Sequence, residues 1–139
     1  MENETLLISG ASSGIGKSTA QLLAKTGRNL IITGRRKERL NELAEQLRMA
    51  GANVFVAEFD VRDKKQVQTF VSRLPEEFRR IRVLLNNAGL AAGLDFIQEG
   101  DTDDWDAMID TNIRGLLYLT RAALPLMMGV KGAQIINVV

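Results

Sequence analysis

Short apolar runs rich in β-branched residues recur along the chain, and each is followed by a longer segment whose apolar residues fall at helical spacing. Buried strands read as continuous apolar runs and amphipathic helices repeat every 3.6 residues, so this alternation predicts stacked βαβ units. Strands are expected at Thr5–Ser9, Asn29–Thr33, Asn53–Phe59, Arg82–Asn86 and Gln134–Val139. The first helix, Gly14 to Lys25, carries Ile15, Thr19, Leu22 and Leu23 on one face and is stopped by Gly27. The second, Lys37 to Met49, turns Leu40, Leu43, Ala44 and Leu47 inward, leaves Glu38, Arg39, Glu42, Glu45 and Arg48 in solvent, and closes at Gly51. The third, Lys64 to Leu74, presents Val67, Phe70, Val71 and Leu74 and ends before Pro75. The longest runs from Thr102 toward Pro125. Thr102 is its expected N-cap, Asp103 and Asp104 suit the positive end of its dipole, and Trp105, Met108, Ile109, Ile113, Leu116 and Leu117 form its stripe.

Right-handed crossovers place such helices on both faces of one parallel sheet, giving a doubly wound α/β fold of Rossmann type with strand order 3-2-1-4-5 that stops after its fifth strand. A length of 139 residues fits one domain, residues 1–139, with one core. The longest irregular segment, Gly89–Asp101, follows the fourth strand at the end of the sheet where such folds bind ligands.

Composition narrows the chemistry. Lys and Arg number 18 against 17 Asp and Glu, so bulk charge directs the chain to neither nucleic acid nor acidic membrane. Without cysteine or histidine there is no disulfide framework, thiol nucleophile, imidazole base or Ser-His-Asp triad, and no metal site is expected. The start (Glu2, Glu4) is acidic and unlike a signal peptide, and the apolar stretch 115–130 is broken by Arg121 and Pro125, so a cytoplasmic location is expected.

The first strand runs into Ser9-Gly10-Ala11-Ser12-Ser13-Gly14-Ile15-Gly16-Lys17-Ser18. As a relaxed Walker loop, it would put Lys17 on a phosphate and Ser18 on magnesium. As a dinucleotide turn, Gly10 permits the sharp exit from the strand, Gly14 lets the backbone approach a diphosphate and Gly16 allows close helix packing. As neither, the glycines make a tight βα connection. The end of the second strand favours the dinucleotide: Gly34 stands where a ribose-binding carboxylate would mark an NAD site, and Arg35 and Arg36 follow, suited to the 2′-phosphate of NADP. An arginine pair there is otherwise solvated surface, and Asp60 is otherwise an ordinary cap of the next helix.

With these segments the chain resembles the short-chain dehydrogenases/reductases. Ser9 to Gly16 is similar to the family's glycine motif, with Ser9 where Thr is usual. Asp60-Val61 resembles its adenine-contacting strand end, Asn86-Asn87-Ala88-Gly89 its hallmark after the fourth strand, and Asn112 its helix asparagine. Thr33-Gly34-Arg35-Arg36, Asp110-Thr111-Asn112 and Thr120-Arg121-Ala122-Ala123-Leu124-Pro125 look most like NADP-dependent 3-hydroxy acid and serine dehydrogenases.

The resemblance implies NADP as cofactor, held by Gly10, Ser12, Ser13, Gly14, Ile15, Gly16, Arg35, Arg36, Asp60, Val61, Asn87, Ala88 and Gly89. It implies a small carbonyl or alcohol substrate, a homo-oligomer, and Asn112 as the catalytic residue that holds a water in a proton relay. It covers only about the first half of a family member. The family's catalytic Ser follows the fifth strand and its Tyr-x-x-x-Lys lies on the next helix; here Tyr118 is the only tyrosine and Ala122 stands four residues on. These residues alone are therefore expected to be inactive. The alternative is a naturally short dinucleotide-binding or interaction protein without catalysis.

Overall fold

The computed structural model describes residues 4–138, so Glu2 of the acidic start and the expected strand end Val139 lie outside the described residues. Five strands, β1 (Thr5–Ile8), β2 (Asn29–Gly34), β3 (Asn53–Glu58), β4 (Ile81–Asn86) and β5 (Gln134–Asn137), form one parallel sheet. Their order is β3-β2-β1-β4-β5. Every expected strand is present with ends within two residues. The helices α1 (Gly14–Ala24), α2 (Lys37–Met49) and α3 (Lys64–Arg73) supply the first crossovers.

Both faces of the sheet are covered at β1 and β2, which is why these strands are apolar at successive positions. Leu6, Ile8, Leu30 and Ile32 point to the side of α1 and α2, where Leu40, Leu43 and Leu47 meet them. Leu7, Ile31 and Leu84 point to the other, against Phe70 of α3 and Leu119 and Met127. The two-residue alternation sorts the same strands into two cores.

Four expectations about the helices are corrected. In α1 the buried residues are Gly16, Ala20 and Ala24, while Ile15 and Leu22 are 60% and 69% exposed. Small residues face the sheet because the helix lies close to it, and the apolar spacing that pointed to Ile15 and Leu22 marks the outer face. The N-cap of the long helix is Asp101, not Thr102: its carboxylate accepts from the Asp103 N–H at 2.8 Å, ending the coil one residue earlier. That helix is also not uniform. It runs as α4 (Thr102–Ile109), a π-helical turn (Asp110–Gly115) and α5 (Leu116–Ala123), continuing into a 3₁₀ turn at Leu124–Leu126.

Its expected stripe is not buried either. No residue of α4 is buried, Ile109, Ile113 and Leu117 are exposed, and the sheet-facing line is Gly115, Leu119, Ala123 and Met127. Gly115 sits so close to Val61 that a Cβ there would lie 2.6 Å from Cγ2, so this seam is set by a glycine. The edge strand β5 is exposed throughout. Among the described residues no helix is long and apolar enough to cross a membrane.

The other helices follow the pattern read from the sequence. In α2 Leu40, Leu43, Ala44 and Leu47 are buried, and in α3 Val67 and Phe70. Asp63 caps α3, accepting from the N–H groups of Lys65 and Gln66, so Asp60 is free of that duty.

Candidate functional site

At the carboxyl ends of β1 and β4 the chain is tied by side chains. The Ser9 hydroxyl accepts from the N–H groups of Asn87 and Ala88, both at 3.0 Å, and donates to Leu85 O at 3.3 Å. A serine hydroxyl suffices for this knot. Asn87 Nδ2 donates to Gly10 O at 3.1 Å, closing the β1–α1 turn against the segment after β4. Asn86 points away from the turn and donates to Thr120 Oγ1 and Asn137 Oδ1.

The glycines have separate reasons. Gly10 has φ +62° and its missing Cβ would lie 2.9 Å from the backbone of Ala88. Gly14 has φ +58° with open space where a Cβ would stand, so here conformation, not contact, selects glycine. Gly16 has no such φ, but a Cβ would meet Gly10 O at 2.4 Å and Asn87 Nδ2 at 2.5 Å.

The N-terminus of α1 is left open. Its N-cap Ser13 makes no side-chain capping bond and its first turn holds no acidic residue, so amide donors and the dipole's positive end face the cleft uncompensated. That is the donor set an anionic diphosphate requires.

The cleft itself has a volume of about 250 Å³. It brings together Gly10, Ser12, Ser13, Gly14, Ile15, Arg35, Arg36, Asp60, Val61, Asn87, Ala88 and Gly89. Of the residues singled out from the sequence, Gly16 lies buried behind this lining and Asn112 stands outside it. Thr33, Phe59 and Thr111 also line the cleft and were not assigned to the cofactor from the sequence, although Thr33 and Thr111 stand in segments that carry the resemblance. Thr33 and Phe59 adjoin residues that were found; Thr111 arrives through the π turn, which no residue pattern announces. Lys17 lines an adjoining polar recess with Arg39 and Glu42, which shares Ser12, Ser13 and Gly14 with the cleft but not Arg35 or Asp60. A wider groove of about 510 Å³ beside β3 and α3 is lined by Phe55, Phe59 and Phe70 and lacks a glycine turn.

Asp60 is held by Arg62 at several points: the Arg62 N–H and Nε donate to Oδ1 at 3.0 and 3.1 Å, and Nε and Nη2 to Oδ2 at 3.1 and 2.7 Å. The Arg62 side-chain hydrogen bond, opposed by burial and aided by the charges of Arg62 and Arg35, holds the Asp60 carboxyl below its ordinary value.

Asn112 uses both ends of its amide on one residue. Its Oδ1 accepts from Leu90 N and its Nδ2 donates to Leu90 O, each at 2.8 Å. Because it sits in the π turn, Asn112 faces the start of segment 89–101 and pins it. Asn112→Ala is expected to lower stability by about 1–2 kcal/mol and to speed hydrogen exchange at the Leu90 amide. Denaturant unfolding and exchange mass spectrometry check this; unchanged exchange at Leu90 would remove the pinning role. Tyr118 is outside the cleft, partly buried on α5, with the Lys64 ammonium 5.9 Å from its ring centre. Among the described residues no cluster of three carboxylates is placed to hold a metal.

Comparison with known proteins adds five findings. The family described as short chain dehydrogenase matches over residues 4–139. Sulfoacetaldehyde reductase 2 of Chromohalobacter salexigens is 48% identical over 136 residues, covering 97% of this chain and 54% of that protein. The NADP-dependent 3-hydroxy acid dehydrogenase YdfG of Escherichia coli (strain K12) is 41% identical over 133 residues, covering 96% and 52%. Among solved structures, serine dehydrogenase from Escherichia coli superposes with a TM-score of 0.88 at 41% identity, over 96% of this chain and 60% of the other. A closed form of serine dehydrogenase complexed with NADP+ gives 0.89 at the same identity, over 96% and 52%. The chain thus spans about half the length of the curated relatives it matches.

Proposed function

Since the chain belongs to the short-chain dehydrogenase/reductase family, we propose that residues 1–139 form the NADP(H)-binding domain of an oxidoreductase acting between a carbonyl and a secondary alcohol. The observation that carries the cofactor choice is the floor of the cleft at β2. Gly34 places no side chain there, its missing Cβ falling at ordinary contact distance from Leu40 (3.5 Å) and Ser12 Oγ (3.6 Å), and Arg35 and Arg36 line the same cleft. A carboxylate at that place would bind a bare ribose and repel a phosphate; two guanidiniums do the reverse.

The residues present fit the dinucleotide. The open amides at the start of α1 suit a diphosphate, Ser12, Ser13, Gly14 and Ile15 shape its cradle, and Arg35 and Arg36 suit the 2′-phosphate. Asp60 and Val61 line the adenine end, and Asn87, Ala88 and Gly89 the opposite wall. When bound, the cofactor supplies or takes up hydride at its nicotinamide ring. Asn112 fixes the wall at Leu90 through both ends of its amide and is proposed to hold the water of a proton relay.

Carbonyl reduction also requires a donor that stabilises the developing oxyanion and delivers a proton, a contribution of roughly two to four orders of magnitude. Tyr118, packed on α5 with Ala122 four residues on, does not meet that need, so residues 1–139 alone are proposed to be catalytically silent. The relatives named for sulfoacetaldehyde and for 3-hydroxy acids both handle small acidic molecules, and a small anionic carbonyl or 3-hydroxy acid is proposed as substrate. A homo-oligomer is proposed because Ile113, Leu117 and Leu124 are 54%, 58% and 40% exposed along the long helix.

The test is an NADPH-oxidation assay with aldehydes and 3-oxo acids on the full gene product and on residues 1–139. Turnover in a product containing Tyr-x-x-x-Lys, and none in residues 1–139, is the expected result. Robust turnover by residues 1–139 would overturn the assignment of the proton donor.

A further inference from the structure

The cleft contains a conflict. Asp60 is the only carboxylate among the described residues that line it, and it shares the lining with Arg35 and Arg36. A bare carboxylate there would compete for Arg35 and oppose a phosphate dianion. Arg35's charge indeed acts on Asp60. Arg62, two residues on, is outside the lining yet takes both carboxylate oxygens, at 2.7 to 3.1 Å, and adds its own N–H. A carboxylate has about four lone-pair sites, so these contacts occupy most of its capacity as an acceptor.

We propose that Arg62 is a specificity-determining positioning residue: its two-oxygen ion pair with Asp60 cancels the negative charge in the cleft and leaves Arg35 free for the 2′-phosphate of NADP(H). This rests on the NADP(H) reading above. The geometry favours charge cancellation over direct phosphate contact, because the Nε–Nη2 edge of Arg62 is turned onto Asp60 and Arg62 lies outside the cleft lining. The Asp60 backbone is fixed independently, its N–H donating to Gln66 Oε1 at 3.0 Å, and Gln66 is in turn bound to Asp63. Removing the Arg62 side chain therefore alters charge more than fold.

The experiment measures the ratio of NADH to NADPH dissociation constants by calorimetry on the full gene product, for wild type, Arg62→Gln, Arg62→Lys and the double variant Asp60→Asn with Arg62→Gln. Circular dichroism confirms that each is folded. Arg62→Gln is expected to lower the ratio roughly tenfold, through weaker NADPH binding, as expected of a partly screened charge. Arg62→Lys should lower it less, and the double variant should restore it to within about threefold of wild type, since the offending charge is gone. An unchanged ratio in Arg62→Gln overturns the inference. So does a double variant as poor as the single, which would mean that Arg62 touches the phosphate itself. A wild type without NADPH preference overturns the cofactor reading and this inference with it, whereas a preferring wild type with an indifferent Arg62→Gln overturns only the inference.

Discussion

Gly16→Ala is expected to lower stability by about 1–3 kcal/mol or more and to abolish tight dinucleotide binding. The added carbon would stand 2.4 Å from Gly10 O, which is backbone, and 2.5 Å from Asn87 Nδ2, a side-chain end tied by its hydrogen bond to Gly10 O. Relief requires α1 to move off the sheet or the Asn87–Gly10 hydrogen bond to break, and that bond holds the turn against the wall after β4. Gly14→Ala is the control. It meets nothing within 4 Å but forces alanine to φ +58°, so its cost is conformational, about 1 kcal/mol, and local. Urea unfolding separates the two: a Gly16→Ala protein within 0.5 kcal/mol of wild type, on the order of an ordinary surface change, would contradict the account of close packing.

Arg35→Ala carries the second large effect. A charge-assisted hydrogen bond to a phosphate is worth about 1.5–3 kcal/mol, so NADPH should bind roughly ten- to a hundredfold more weakly while NADH changes little. Equal losses for both cofactors would place Arg35 on the part they share.

Much of this architecture is legible in the residues, and what is not has physical causes. The strands declare themselves because a sheet buried on both faces needs uninterrupted apolar runs, as in Leu30-Ile31-Ile32. The glycine turn is legible because only glycine tolerates the φ of Gly10 and Gly14. The seating of α1 is not, since periodicity ranks Ile15 and Leu22 above alanine, whereas a helix pressed on a sheet needs Gly16, Ala20 and Ala24. Adjacent residues able to cap, Asp101 and Thr102, leave the choice to backbone geometry. The π turn is a shift of hydrogen-bond register, which side-chain pattern does not encode, and it is this shift that accompanies Thr111 at the cleft and Asn112 at Leu90. Arg62 carries no signal of its own in the sequence, because its four contacts with Asp60 depend on the fold.

The central claim is that the cleft between α1, β2 and β4 selects a phosphate-bearing dinucleotide. The most direct measurement is calorimetric titration of the full gene product with NADPH and with NADH at one ionic strength, since a contact made through charge varies with salt. NADPH should bind at least roughly tenfold more tightly, with the difference shrinking as salt is raised. Equal affinities, or tighter binding of NADH, would contradict it.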